Sequence, residues 1–422
     1  MKICIIGAGS SYTPELIERF AAMRQVLPVR EISMMDIDPV RLDIMHGFCE
    51  RFAAYLGFDA AINKTADRKQ AIGGSTFVVT QIRVGGNAAR VGDERIPQSM
   101  GLIGQETTGA GGFICGLRTV PAMLEIAEDV AELAPNAWII NYTNPTGLVA
   151  EAVCRHTRAH IAGLCAGGLF ARNWTSETLN VRPEDVYYDY AGLNHMNFSY
   201  NITVNGRLLT QDEFARVAGC VKSVDKSLII KIGAIPSPYL QYYFHTDKIV
   251  RDQKEASKTR AEVVMELEKE LFEDFADRSV TSKPESLKKR GGGGYSDVAA
   301  QVMGAIYNNR DTWAVVNVPN KGVFPFLPSD AVIETPCLVN AAGIVPVTQK
   351  QPPESVRGLI SAVKNYETLT VEAAVSGSRD TALLALLAHP LTGDYDTARE
   401  LLDRLLEANK QYLPNFFGAN KT

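Results

Sequence analysis

A short apolar run at residues 2–6, Lys2-Ile3-Cys4-Ile5-Ile6, leads directly into Gly7-Ala8-Gly9-Ser10-Ser11, and the next segment carries Leu16, Ile17 and Phe20 at helical spacing. A second run, Glu31 to Asp36, ends on a carboxylate. Strand, glycine turn, helix, strand is the opening unit of a doubly wound parallel sheet. It constrains the chain strongly, because parallel neighbours need crossover helices that cover the sheet faces. Gly7 and Gly9 allow the backbone to approach a pyrophosphate at the positive end of the following helix. Asp36 stands where a carboxylate holds a ribose 2′-hydroxyl and disfavours a 2′-phosphate. Tyr12 takes the place of a third glycine, so the motif is shortened and is also compatible with an ordinary strand–helix turn.

Further strands are expected at Thr76 to Gln81, Ala137 to Asn141 and Ile161 to Cys165, with a helix from about Pro121 to Leu133. Beyond about residue 170 the alternation stops. Residues 186–210 read as strands with a hairpin turn at Asn205-Gly206. A long amphipathic helix follows near Glu255 to Phe275, then helices near 357–390 and 396–410. The expected fold class is α/β, a Rossmann-like doubly wound parallel sheet with a C-terminal α+β domain. The expected division is a dinucleotide-binding domain at 1–168 and an α+β catalytic and substrate-binding domain at 169–422, and 422 residues suffice for two. The Gly291 to Gly294 run is too short for a spacer.

Net charge of −5 argues against the basic face that nucleic acid or acidic lipid requires, while two or three local arginines suffice for one small phosphate. Seven cysteines at irregular spacing read as reduced thiols rather than a disulfide framework. The apolar opening is too short for a signal peptide, and no apolar run approaches the roughly 20 residues of a membrane helix. The expectation is a cytoplasmic protein with no nucleic-acid or membrane partner.

Several polar stretches suggest chemistry. Cys165 closes a strand in Gly163-Leu164-Cys165, and His195 follows another in Gly192-Leu193-Asn194-His195. A thiolate and an imidazole together can hold Mn²⁺ or a similar ion, though each alone is equally a core cysteine or a hydrogen-bonded histidine. Asn141-Tyr142-Thr143-Asn144-Pro145 lies where ligands sit in open parallel sheets, but Asn-Pro is also a common turn. Arg83, Arg90 and Asp93 form either a ligand loop or a solvated one. Gly104-Gln105-Glu106-Thr107-Thr108-Gly109 is a polar stretch bracketed by glycines. Ser237-Pro238-Tyr239-Leu240-Gln241-Tyr242-Tyr243 offers tyrosines for packing, or one whose phenolate acts as a base beside a cation.

Taken together these stretches resemble glycoside hydrolase family 4. The match runs in order through Gly7 to Glu15, Gly104 to Gly109, Asn141 to Pro145, Gly163 to Cys165 and Gly192 to His195. It continues through Arg290-Gly291-Gly292, Tyr295-Ser296-Asp297 and Val316 to Gly322. Arg83-Val84-Gly85, Asp93 to Pro97 and Gly116 to Thr119 look most like the 6-phospho-β-glucosidases of the cellobiose and chitobiose type. The resemblance implies a fold like that of lactate and malate dehydrogenases and an NAD-dependent glycosidase, a known exception to two-carboxylate hydrolysis. It implies oxidation at C3 of the sugar, removal of the C2 proton, elimination at C1, addition of water and return of the hydride. It implies NAD held by Gly7, Gly9, Ser10, Ser11 and Asp36, a divalent metal such as Mn²⁺ on Cys165 and His195, and Tyr239 as the base. Arg90, Asn144 and Arg260 would meet the substrate, a phosphorylated disaccharide or glycoside. A homodimer or homotetramer is the implied assembly. Ala166 departs from the pattern, standing where relatives carry asparagine or aspartate, and its methyl group offers a sugar no hydrogen bond. The competing readings are a family 4 α-glycosidase or galacturonidase acting on unphosphorylated sugar, a 2-hydroxyacid dehydrogenase that accumulates NADH, and an NAD-responsive regulator.

Overall fold

The computed structural model describes residues 1–287 and 295–418. The Arg290-Gly291-Gly292 motif and the rest of the Gly291–Gly294 run lie outside the described residues.

Strands β1 (Lys2–Ile6), β2 (Glu31–Met35), β3 (Ala61–Thr65), β4 (Phe77–Thr80), β5 (Trp138–Asn141) and β6 (His160–Gly163) are parallel and lie in the order β3-β2-β1-β4-β5-β6. That order reverses between β1 and β4, the place where open α/β sheets bind ligands beyond their carboxyl ends. The strands are apolar runs because both faces are covered. Ile3 and Ile5 pack with the helices Thr13–Ala22 and Pro39–Tyr55, while Cys4 and Ile6 pack with the far half of the helix Gly109–Leu133.

The second half adds a small antiparallel sheet of β7 (Val186–Leu193), β8 (Met196–Val204), β9 (Arg207–Leu208) and β10 (Ile235–Pro236). Asn205 and Gly206, both in the left-handed region, make the tight turn from β8 to β9. Strands β11 (Thr312–Pro319), β12 (Val332–Asn340) and β13 (Gly343–Pro346) then return to the first sheet, antiparallel, with Asn317 paired to Gly163 of β6. The nine-stranded sheet therefore crosses the boundary expected between residues 168 and 169.

Two of the expected helices start at other residues. The helix expected to start at Pro121 begins at Gly109 and carries Pro121 in its interior. Its first turns are glycine-rich because another segment is pressed against them. A methyl group on Gly111 would stand 2.1 Å from the Gln105 carbonyl oxygen, and one on Gly112 would stand 2.6 Å from Thr107 backbone. This helix is also long and apolar enough to cross a membrane by length and composition, contrary to the expectation that no stretch is, but 78% of its apolar window is buried inside the protein. It is a core helix. Glu255 ends one helix, Thr246–Glu255, and the amphipathic helix expected from Glu255 to Phe275 is a second one that starts later, Arg260–Ala276. The second is restarted by a capping box, in which the Thr259 hydroxyl accepts from the Glu262 N–H and the Glu262 carboxylate accepts from the Thr259 N–H.

Candidate active site

A cavity of about 1430 Å³ opens along the carboxyl ends of β1, β2, β4 and β5. Gly7, Gly9, Ser10 and Asp36 line one part of it, and Arg90, Asn144, Tyr239 and Arg260 line another. Its wall is built by residues that follow the strands. Gly7 takes φ +86, and a Cβ there would lie 2.7 Å from the Gln81 carbonyl oxygen, so only glycine fits that turn. Asp36 accepts the Gly9 N–H at 2.8 Å with one oxygen and the Asp38 N–H at 3.0 Å with the other, tying the turn after β1 to the end of β2. Ser11 faces inward instead. It is fully buried, and its hydroxyl donates to Glu268 at 3.1 Å.

Cys165 and His195 come together from different sheets. Cys165 lies just after β6, and His195 sits in the two-residue turn between β7 and β8, where Leu193 faces Met196. That turn forces φ +129 on a histidine, a conformation that costs roughly 1–3 kcal/mol and is characteristic of functional positions. The Cys165 sulfur and His195 Nε2 are 3.8 Å apart, close enough for one ion at ordinary ligand lengths of about 2.0–2.3 Å to reach both. Among the described residues no cluster of three or more His, Cys, Asp or Glu side chains stands ready for a metal, so the pair would leave positions open for other oxygens. Cys4, Cys49, Cys115, Cys154, Cys220 and Cys337 are free thiols.

The imidazole is prepared for that role by its other nitrogen. The Thr107 N–H and hydroxyl both point at the same Gln105 side-chain oxygen, at 2.6 and 3.0 Å, so the hydroxyl proton is committed there. Its oxygen then accepts from His195 Nδ1–H at 3.0 Å, which leaves Nε2 as a bare lone pair facing the sulfur. Burial pushes the His195 pKa down to about 4, against the opposing pull of Glu106, so the ring is neutral near pH 7.

Tyr239 lies flat on His195, with ring centroids 3.8 Å apart and planes 7° from parallel. Burial, then Cys165 and Glu106, push its phenol up. Cys165 and His195 do not themselves line the large cavity; they sit one layer behind Tyr239 and Thr107, which do.

The arginines are less free than the sequence suggested. Arg83 and Arg90 both reach Glu106, at 2.7 and 3.2 Å, and Arg90 Nε donates to Glu94 at 2.8 Å. Burial raises Glu106, but Arg83 and Arg90 outweigh it and hold the carboxyl below its ordinary value. Behind them, Arg118 grips Asp93 with two bonds of 2.7 and 2.6 Å and reaches the Val84 carbonyl, tying the segment of Arg83 to the helix Gly86–Ser99 that carries Arg90. Asp93, expected in a loop with Arg83 and Arg90, is instead a fully buried anchor on that helix.

Sequence reasoning missed Glu268, Phe272 and Tyr412, which also line the cavity. Arg260, Val264, Glu268 and Phe272 recur every four residues, so they share one face of the helix Arg260–Ala276; that spacing was the available signal. Tyr412 comes from near the C-terminus, and nothing local marks it.

A family model described as "Family 4 glycosyl hydrolase" matches residues 2–180, and one described as "Family 4 glycosyl hydrolase C-terminal domain" matches 190–392. The chain is 40% identical to a probable 6-phospho-beta-glucosidase of Bacillus subtilis (strain 168), covering 99% of this chain and 98% of the relative. It is 38% identical to the 6-phospho-beta-glucosidase of Escherichia coli (strain K12), covering 99% and 97%. The solved 6-phospho-beta glucosidase of Thermotoga maritima with manganese, NAD+ and glucose-6-phosphate superposes with a TM-score of 0.90 at 34% identity, covering 98% of this chain and 99% of that one. Malate dehydrogenase from Plasmodium falciparum, at 15% identity and a TM-score of 0.52, shares the fold alone.

Proposed function

This chain belongs to family 4 of the glycosyl hydrolases and is a glycosidase, and from that premise we propose that it hydrolyses 6-phosphorylated β-glucosides with NAD and a divalent metal such as Mn²⁺. The observation that carries this reading is the Cys165 sulfur 3.8 Å from His195 Nε2 with Tyr239 stacked on that imidazole, beside a cavity that continues to Gly7, Gly9 and Asp36. Further support comes from the full-length likeness to 6-phospho-β-glucosidases at 38–40% identity.

In this reading Gly7, Gly9 and Ser10 approach the pyrophosphate, Ser11 keeps the turn in place through Glu268, and Asp36 holds the ribose. Cys165 and His195 hold the metal. Bound there, the dinucleotide supplies a reversible hydride acceptor for C3, and the cation supplies the positive charge that polarises the sugar oxygens and opposes the groups that raise the Tyr239 phenol. Tyr239 takes the C2 proton at its phenolate oxygen. Arg90, Asn144 and Arg260 bind and orient the phosphorylated sugar, with Glu106 holding Arg90 in place. Residues 1–168 then serve mainly the dinucleotide and residues 169–422 mainly the catalytic groups.

The test is a panel of p-nitrophenyl β-glucoside 6-phosphate, its unphosphorylated form and its α-linked form, assayed with Mn²⁺, NAD+ and a thiol reductant. Turnover of the phosphorylated β-glycoside without net NADH is expected. Faster turnover of the unphosphorylated or α-linked compound would overturn the substrate assignment, and accumulating NADH would overturn the cycle.

Replacing Asp36 by Ala is expected to weaken NAD+ binding by roughly ten- to a hundredfold. A hydrogen bond to a charged acceptor contributes about 1.5–3 kcal/mol, and the Gly9 N–H loses its partner as well. Quenching of protein fluorescence on titration with NAD+ measures it, and unchanged affinity would remove Asp36 from the dinucleotide site.

A further inference from the structure

Glu334, on β12, is 1% exposed and accepts four hydrogen bonds from neutral side chains. Tyr190 Oη and Asn197 Nδ2 reach one oxygen at 2.6 and 2.9 Å; Asn194 Nδ2 and Asn317 Nδ2 reach the other at 3.2 and 3.4 Å. Among the described residues no lysine, arginine or histidine makes a salt bridge to it. A buried carboxylate is costly unless its lone pairs are occupied, so this arrangement of four donors is a built feature of the interior.

Two of the donors do something more specific. Asn197 Nδ2 also donates to the Leu193 carbonyl at 3.2 Å, and Asn317 Nδ2 also donates to the Gly163 carbonyl at 2.9 Å. Leu193 is two residues before His195, and Gly163 is two residues before Cys165. Each amide thus spends one N–H on the backbone of a ligand-bearing segment and the other on Glu334. Asn194, the residue next to His195, makes a third direct tie. The Gly163 carbonyl and the Glu334 carboxylate both accept, which fixes the amide's orientation: its two N–H groups face them, and Oδ1 is left buried without a partner. The sheet register puts Asn317 opposite both Gly163 and Glu334, so the bridge runs straight across three strands.

We propose that Glu334 is a positioning residue for the metal pair, a single acceptor that locks the Cys165 and His195 segments at ligating separation through the matched amides of Asn317 and Asn197. This rests on the reading of Cys165 and His195 as the metal ligands. Glu334→Gln preserves volume but turns two acceptor lone pairs into an NH₂ that faces other N–H donors, so at least one arm is lost. Outer partners that orient metal ligands typically set metal affinity by about 10–100-fold.

The experiment measures Mn²⁺ affinity from the electron paramagnetic resonance signal of free Mn²⁺, using the reduced full-length protein saturated with NAD+. The variants are Glu334→Gln, Asn197→Ser, Asn317→Ser and Cys165→Ala, with Leu402→Ala, a core truncation in the C-terminal helix Tyr395–Ala408, as a stability control. Thermal melts run in parallel. The proposal expects a ten- to hundredfold loss of Mn²⁺ affinity in Glu334→Gln or, if that variant does not fold, in the two asparagine variants, while Leu402→Ala melts earlier with its affinity intact. It is overturned if folded Glu334→Gln binds Mn²⁺ within about twofold of the wild type, or if that variant does not fold and the asparagine variants bind normally. Should Cys165→Ala bind Mn²⁺ as the wild type does, the metal-site reading falls and takes the positioning role with it.

Discussion

Tyr239→Phe is expected to lower kcat on p-nitrophenyl β-glucoside 6-phosphate by about 10²–10⁴-fold, the usual contribution of a positioned general base. The substitution is a clean one here. The ring that lies on His195 at 3.8 Å is retained, so the stack and the closure of the wall are retained with it, and only the hydroxyl is removed. Binding of Mn²⁺ and NAD+ should therefore stay at wild-type levels, which steady-state kinetics combined with separate titrations would establish. The residual reaction should show a larger isotope effect with substrate deuterated at C2, because proton removal becomes the slow step. A variant that keeps most of its kcat would exclude Tyr239 as the base.

Cys165→Ala should be at least as damaging. In the proposed reading one of two protein ligands disappears, and the Gly167 N–H loses the sulfur it points at from 3.4 Å. A metal that polarises a reacting oxygen contributes several kcal/mol, and about 4 kcal/mol corresponds to about a thousandfold in rate. Loss on that scale is expected, and treating the wild type with a chelator should reproduce it, reversibly on adding Mn²⁺. Undiminished turnover in the variant, or a chelator without effect, would show that the sulfur serves packing alone.

The parts legible in the sequence were those whose cause is local. β1, β2, β4, β5 and β6 were readable to within one or two residues because strands covered on both faces are apolar runs ending at small or polar residues such as Gly7, Asp36, Thr80 and Asn141. The pairing of Cys165 with His195 was not local, and only the resemblance to a family brought the two together before the coordinates did. The start of the helix Gly109–Leu133 was missed because Gly109, Gly111, Gly112 and Gly116 look like a loop. What makes glycine suitable at Gly111 and Gly112 is the backbone of residues 105 and 107 pressed against the helix, a tertiary demand that overrides helix propensity. Glu334 was invisible for a similar reason. Its four donors come from Tyr190, Asn194, Asn197 and Asn317, on β7, on the turn after it, on β8 and on β11, and a lone glutamate in an apolar strand signals nothing by itself.

The return of β11 to β6 has a consequence for how the molecule comes into being. About 150 residues separate the end of β6 from the start of β11, so on the ribosome β6 emerges long before the strand that will cover its flank. Until then it is an open edge, with N–H and C=O groups that any extended segment can pair with. A gene cut before residue 312 would make that interval permanent, and the truncated product would be a candidate for edge-to-edge aggregation rather than a smaller nucleotide binder.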